Sequence, residues 1–326
     1  MKSVILILLL TCSFLSKAQT HAEEHYQFDS IYKTTLGYYN RGLYHKAALY
    51  PEYLAENRYV NATTNYFFAR VFALSNEFDK TLEHLEKAVK GGITKTQIER
   101  MYDLDGFRES NLHIIYEMNY GKWHQEYIDS EEETVLDSVY INQLKEIREW
   151  KSDFEVRTWY TQDGDVMYIE DSSVIEPNRK QQDSVFYFTM ELVLEKGFPI
   201  RKRVGEQFNY FSRRLGYSLP KEFSLENKKW KKIKTMIFIE MEKGNLKPFY
   251  YAVLEDNIRS ARNQNQLNGT INYFYKDSKD KTNAVVYENP DELNIRRRAV
   301  GLCPIQLELW SEARELPESL KGVKFK

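Results

Sequence analysis

The chain has 326 residues, 42% hydrophobic and 29% charged, a balance that fits a folded chain and excludes a disordered one. Its 46 basic and 48 acidic residues give a net charge of −2, which excludes a general nucleic-acid binder because such a protein carries a basic excess. The length suffices for two ordinary domains.

The N-terminus reads as an export signal. Lys2 supplies a positive charge, Val4 to Leu10 is an unbroken apolar run, and Phe14 and Leu15 extend it. Ser16-Lys17-Ala18 then puts small residues at both positions a signal peptidase reads. Residues 1–18 are therefore expected to be removed, with Gln19 beginning the mature chain in the periplasm or outside the cell. The apolar run is shorter than the ~20 residues a spanning helix needs, and no later segment is apolar enough, so no transmembrane segment is expected. Cys12 leaves with the signal, so the mature chain keeps Cys303 alone and can form no internal disulfide.

Six histidines stand at positions 21, 25, 45, 84, 113 and 124. Residues 125 to 326 therefore cannot host a self-contained Ser-His-Asp or Cys-His site, nor a histidine-rich zinc site. His21 and His25 have the spacing of a helical metal pair, but Ala22 stands where a zinc protease needs its glutamate. No metal and no cofactor is expected, and the other histidines read as surface residues.

Residues 26 to about 92 repeat with a period of 34: Tyr38, Gly42, Tyr44, Ala47 and Leu54 recur as Phe72, Asn76, Phe78, Thr81 and Ala88. This resembles the tetratricopeptide repeat, a helix–turn–helix unit of that length. Small residues such as Ala47 would let paired helices approach, and Gly42 suits the turn between them. Pro51 is expected to kink or restart the second helix of the first unit. Glu77 to Lys90 reads as an amphipathic helix with Phe78, Leu82, Leu85 and Val89 on one face, ended by Gly91-Gly92. Further helices between Thr94 and Tyr127 would cap the stack, including Tyr102-Asp103-Leu104-Asp105-Gly106-Phe107 and Trp123.

Beyond an acidic linker at 129–134, Val135 to Trp150 has a helical pattern. Gln162 to Gln182, with Asp163-Gly164 and Pro177, reads as turns or a loop. Helices are expected over 183–196, 204–215, 225–243, 247–261 and 305–313. The first of these stops at Gly197-Phe198-Pro199. The lysines of Lys228-Lys229-Trp230-Lys231-Lys232 read as a solvated face with Trp230 turned inward. Asn268 to Tyr275 alternates like a strand, with Asn283 to Tyr287 as its hairpin partner.

Three pieces occur in one order: Gly197-Phe198-Pro199 with Val204-Gly205; Leu254-Glu255-Asp256 leading to Gln266-Leu267-Asn268-Gly269-Thr270; and Arg296-Arg297 before Gly301-Leu302 and Pro304. Over residues 135 to 312 the chain resembles an uncharacterised bacterial domain of unknown function. Its members read G-W-P…V-G, a D-R helix running into Q-x-Y-G-T-Q, and R-R…G-L-P-P-L. This chain departs from that pattern at Asn257 and Ile271, and it has no histidine a dozen residues after Val204-Gly205. The matched residues Asp256, Thr270, Arg296 and Arg297 are the candidate ligand-binding set, with Asp256 the candidate catalytic group. An arginine could grip a carboxylate or phosphate bidentately. The same residues could instead form an ion pair that pins the C-terminal segment to the helical core.

The expected fold is mainly α, with TPR-like helical repeats over 24–127 packed against a helical domain over 135–314 that carries a small antiparallel β-hairpin. A polar tail follows at 315–326. The expected function is that of an exported protein-interaction or scaffold module with a protein or peptide partner. The alternative is a hydrolase or transferase with Asp256 as general base and Arg296 or Arg297 binding an anionic group.

Overall fold

The computed structural model describes residues 2–132, 136–149, 158–160, 166–168, 172–205, 207–208, 211, 226–260, 264–270, 287–314 and 320–324. They are mainly helical and divide into two compact units. The first takes in residues 1–135, 247–249 and 280–326, and the second residues 136–246 and 250–279. The C-terminal segment, which the sequence groups with the second domain, therefore lies in the N-terminal unit. Among the described residues no helix is long and apolar enough to cross a membrane.

In the first unit α1 (Lys2–Tyr39) is followed by the single turn α2 (Tyr44–Ala47) and a 3-10 turn at Pro51–Leu54. Pro51 opens that 3-10 turn, where its missing N–H costs no bond. An antiparallel pair follows, α3 (Ala62–Leu74) and α4 (Phe78–Val89). The Asn61 side chain caps α3 by accepting the Thr64 N–H at 3.0 Å.

Residues 34 apart occupy matching places in these two segments. Gly42 and Asn76 both take left-handed turns, at φ +69° and +61°, and glycine and asparagine tolerate that conformation better than most residues. Tyr44 and Phe78 each begin the second helix. Ala47 and Thr81 are both buried, as are Leu54 and Ala88.

The stack continues through α5 (Lys95–Glu99), α6 (Asp105–Arg108) and α7 (Asn111–Glu132). One apolar cluster joins Phe28, Leu54, Phe67, Phe68, Val71 and Phe72. A second joins Leu85, Val89, Leu104, Phe107, Tyr116 and Trp123. As the amphipathic pattern of 77–90 predicts, Leu85 and Val89 are buried, and Phe78 and Leu82 pack partly buried against the same cluster.

The second unit contains α8 (Ser138–Glu149), α9 (Ser172–Lys196), α10 (Arg201–Val204), α11 (Lys228–Glu242) and α12 (Pro248–Ser260), whose first two residues belong to the first unit. Asp137 caps α8 through the Tyr140 N–H and pairs with Arg203 at 2.7 Å. Those two partners hold its carboxyl below the usual carboxylate range. Trp230 is buried with Ile233 and Ile237, and Lys228, Lys229, Lys231 and Lys232 are exposed, as expected.

Two expectations change here. Residues 172–182, read as loop, belong to α9, which runs through Pro177; the apolar run Val185, Phe186, Met190 and Val193 buries the later turns and anchors the helix. A short antiparallel pairing, β1 (Thr158–Tyr160) with β2 (Val166–Tyr168), flanks Asp163-Gly164. The hairpin expected over 268–275 and 283–287 is not seen among the described residues. Asn268, Gly269 and Thr270 form a loop in which the Asn268 and Thr270 amides donate to a carboxylate, and residues 271–286 lie outside the described set.

The first unit is completed by α13 (Leu293–Ala299) and α14 (Ile305–Ser311), which pack against α1.

Candidate functional site

Asp256 lies on α12 and is fully buried. Its Oδ1 accepts the N–H groups of Leu267 at 2.8 Å and Asn268 at 3.0 Å. Its Oδ2 accepts the Thr270 N–H at 2.9 Å and the Thr270 hydroxyl at 2.8 Å. Burial pushes this carboxyl above its ordinary range, and the bonds from Asn268, Thr270 and Leu267 act in the opposite sense. The fold thus brings Asp256 and Thr270 together. A carboxylate with four donors and no exposure has no lone pair to offer a substrate, which argues against a general base. Its visible work is to staple the 266–270 loop to α12.

Arg297 and Arg296 sit on α13 in the first unit. Arg297 is fully buried; its Nε donates to the Cys303 carbonyl at 2.7 Å, and its guanidinium pairs with the buried Glu308 of α14. Arg296 donates to the carbonyls of Glu288 and Asn289 and lies 3.9 Å from Glu292. The charge of Arg297 is thus matched by a carboxylate of its own unit.

A second polar constellation was missed in the sequence. Every fourth residue from 25 to 37 along α1, and Arg41 just past its end, meets the C-terminal segment 301–312. His25 donates from Nδ1 to the Gly301 carbonyl, and Asp29 accepts the Cys303 N–H at 2.8 Å. Lys33 lies 3.2 Å from Glu312 and 3.8 Å from Glu308. Gly37 lets the Trp310 ring approach so closely that a β-carbon there would lie 2.0 Å from it. The Arg41 guanidinium stacks over the same ring at 4.3 Å. The four-residue spacing was the available signal, since it lines one face of a helix.

Two histidines are in the core, and of these His84 was expected at the surface. His25 is buried, while His21 accepts from Arg58 at 2.9 Å, so the two do not act as a metal pair. His84 is buried, stacks on Phe72 at 5.3 Å and donates from Nδ1 to Asn65 Oδ1 at 2.9 Å. Burial, aided by Lys87, pulls its imidazole down to about 4. Cys303 is likewise buried, which pushes its thiol up and makes it a poor nucleophile. Among the described residues no three metal-ligating side chains come together.

A polar ladder remains partly open to solvent. Arg70 on α3 donates to Asp103 at 2.7 Å and to the Tyr39 hydroxyl at 2.5 Å, and Tyr39 donates to Asp103 at 2.6 Å. The Arg70 and Asp103 side chains keep 25% and 23% exposure, enough for a partner to reach. Burial and the bond to Asp103 push the Tyr39 phenol up to about 12. Comparison with family models, curated proteins and solved structures gives no match to this chain, so its function rests on its own residues and geometry.

Proposed function

We propose that this is an exported protein-interaction or scaffold module whose N-terminal helices are TPR-like repeats. The observation that carries the reading is the 34-residue correspondence: two left-handed turns, two helix starts and two pairs of buried small or apolar residues at equal offsets. A stacked array of this kind displays the same helix position from successive units along one surface. Tyr39, Arg70 and Asp103, although not at equal repeat offsets, form a polar ladder on this array with donors and acceptors partly open to a peptide backbone or side chain. The α1 stripe is occupied by the chain's own α13 and α14, and the ladder is the surface assigned to the partner.

The region from 135 to 312 is taken as a divergent copy of the domain it resembles, with Asp256 and Thr270 retained as a structural joint. Export follows from the N-terminal pattern: the intact mass of the protein recovered from the periplasm or medium is expected to match a chain beginning at Gln19, with or without loss of ammonia from that glutamine.

The functional test is recovery of partners from envelope extracts by the whole protein and by its Arg70→Glu variant. A defined partner held by the parent and lost by the folded variant supports the reading. A monomer that recovers nothing, or the same set with both proteins, refutes it.

A further inference from the structure

The turn between α13 and α14 is held to α1 by a histidine that fits only when neutral. A carbonyl can only accept, so the bond to Gly301 puts the proton on Nδ1 of His25 and leaves the lone pair on Nε2. That Nε2 is buried and has no hydrogen-bond partner. Aromatic rings wall it in, with Tyr59 edge-on at 4.6 Å and Phe28 at 5.8 Å. The turn packs closely on α1 at this point. Gly301 has φ +71°, and a β-carbon there would lie 2.9 Å from the Ala22 carbonyl and 3.1 Å from the His25 side chain.

The charged and titratable groups around this joint come from every element packed on it. Asp29 lies one turn along α1, already accepting the Cys303 N–H. Lys247 approaches from the segment before α12 and sits over the Phe28 ring at 5.0 Å. The Cys303 thiol is buried in the turn itself. Further out, Glu23 pairs with Arg298 at 3.0 Å, and Glu24 pairs with Arg58 at 2.9 Å. A proton on Nε2 would add a charge and a donor where no acceptor exists, and the Lys247 ammonium would oppose it.

We propose that His25 is a pH-sensitive latch: neutral, it holds the Gly301–Cys303 turn and with it residues 293–311 on α1; protonated, it lets them go.

Burial lowers the affinity of this imidazole for a proton, with Lys247 acting in the same sense and Asp29 and the Gly301 bond against it. The folded form therefore binds fewer protons than the released form. Its stabilising contribution is whole above the ordinary histidine value of about 6.5 and is lost as pH falls through the folded value, by at most about tenfold per pH unit.

The test is hydrogen exchange of the full chain at several values between pH 7.5 and 5.0, corrected for intrinsic rates. Protection over residues 293–311 is expected to fall about tenfold or more below pH 6.5, while α3 and α4 stay protected. The His25→Gln variant keeps a donor and cannot charge, so its protection should not change with pH. Constant protection in the parent, an equal fall in the variant, or a fall shared by α3 and α4 would overturn the latch. Should His25→Gln not fold, the His25 ring is titrated by NMR in the parent. A midpoint well below 6.5 is expected, and one at or above it overturns the proposal.

Discussion

Replacing Asp256 separates a joint from a catalyst. In Asp256→Ala, the buried N–H groups of Asn268 and Thr270, the part-buried N–H of Leu267 and the Thr270 hydroxyl lose this acceptor. A buried donor left without its partner costs about 1–3 kcal/mol, and local relaxation will recover part of that for four groups, so the expected loss is about 4 kcal/mol. At about 1.4 kcal/mol per factor of ten, the amides of Leu267, Asn268 and Thr270 should exchange nearly three orders of magnitude faster. Asp256→Asn keeps one oxygen, which can still serve Leu267 and Asn268, but turns an amide NH2 toward the Thr270 N–H. Its loss should be about 1–2 kcal/mol. Hydrogen exchange read amide by amide, with urea unfolding of the second unit beside it, gives both magnitudes. If the alanine variant exchanges those three amides within about threefold of the parent, the carboxylate is not holding the loop, and the staple argument fails.

Three further outcomes follow from the same contacts. His84→Phe should remove a stability loss on acidification. The native imidazole, lowered from 6.5 to about 4, stabilises fully above about pH 6.5, and up to about 3 kcal/mol is lost as pH falls toward 4; urea midpoints at pH 7.5 and 4.5 for both proteins check it. Gly37→Ala should cost about 1–3 kcal/mol by forcing the Trp310 ring off α1, despite alanine's better helix propensity, and raise exchange in α14. Asn61→Ala should cost about 1 kcal/mol through the lost cap of α3, measured as a lower melting temperature.

What the sequence makes legible is local. The pattern Phe78, Leu82, Leu85, Val89 specifies a helix and its inward face because its period matches one turn, and the structure buries Leu85 and Val89 completely. Gly197 ends α9 at φ +90°, as a glycine followed by proline predicts. Trp230 goes inward from a run of lysines because its large apolar ring gains more from burial than they do. Long-range pairing is what the local pattern does not encode. His25 and Gly301 are 276 residues apart, and each of Asp29, Lys33 and Arg41 looks like an ordinary solvated residue until its partner is known. Asp256 and Thr270 stand out in the sequence through the pattern of the domain that the chain resembles. Their role was not readable, since the same two residue types serve a pocket or a strut depending on what donates to the carboxylate.

The α1 seam also carries more charge than a simple packing surface needs. Arg297, Glu308 and Lys33 meet within it, with Arg297 fully buried. A buried ion pair recovers its desolvation cost only when both partners stay in place, so it adds little net stability and penalises every other register. Shifting α14 by one turn along α1 toward its N-terminus would move Glu308 away from Lys33 and bring Trp310 against Lys33 in place of Gly37. The first fault strands a buried charge, and the second drives a ring into a long side chain. Seating the C-terminal helices on α1 is therefore selective through its faults more than through its gains, which is the property a reversible latch at His25 requires: one closed arrangement, held by a margin small enough for a single proton to shift.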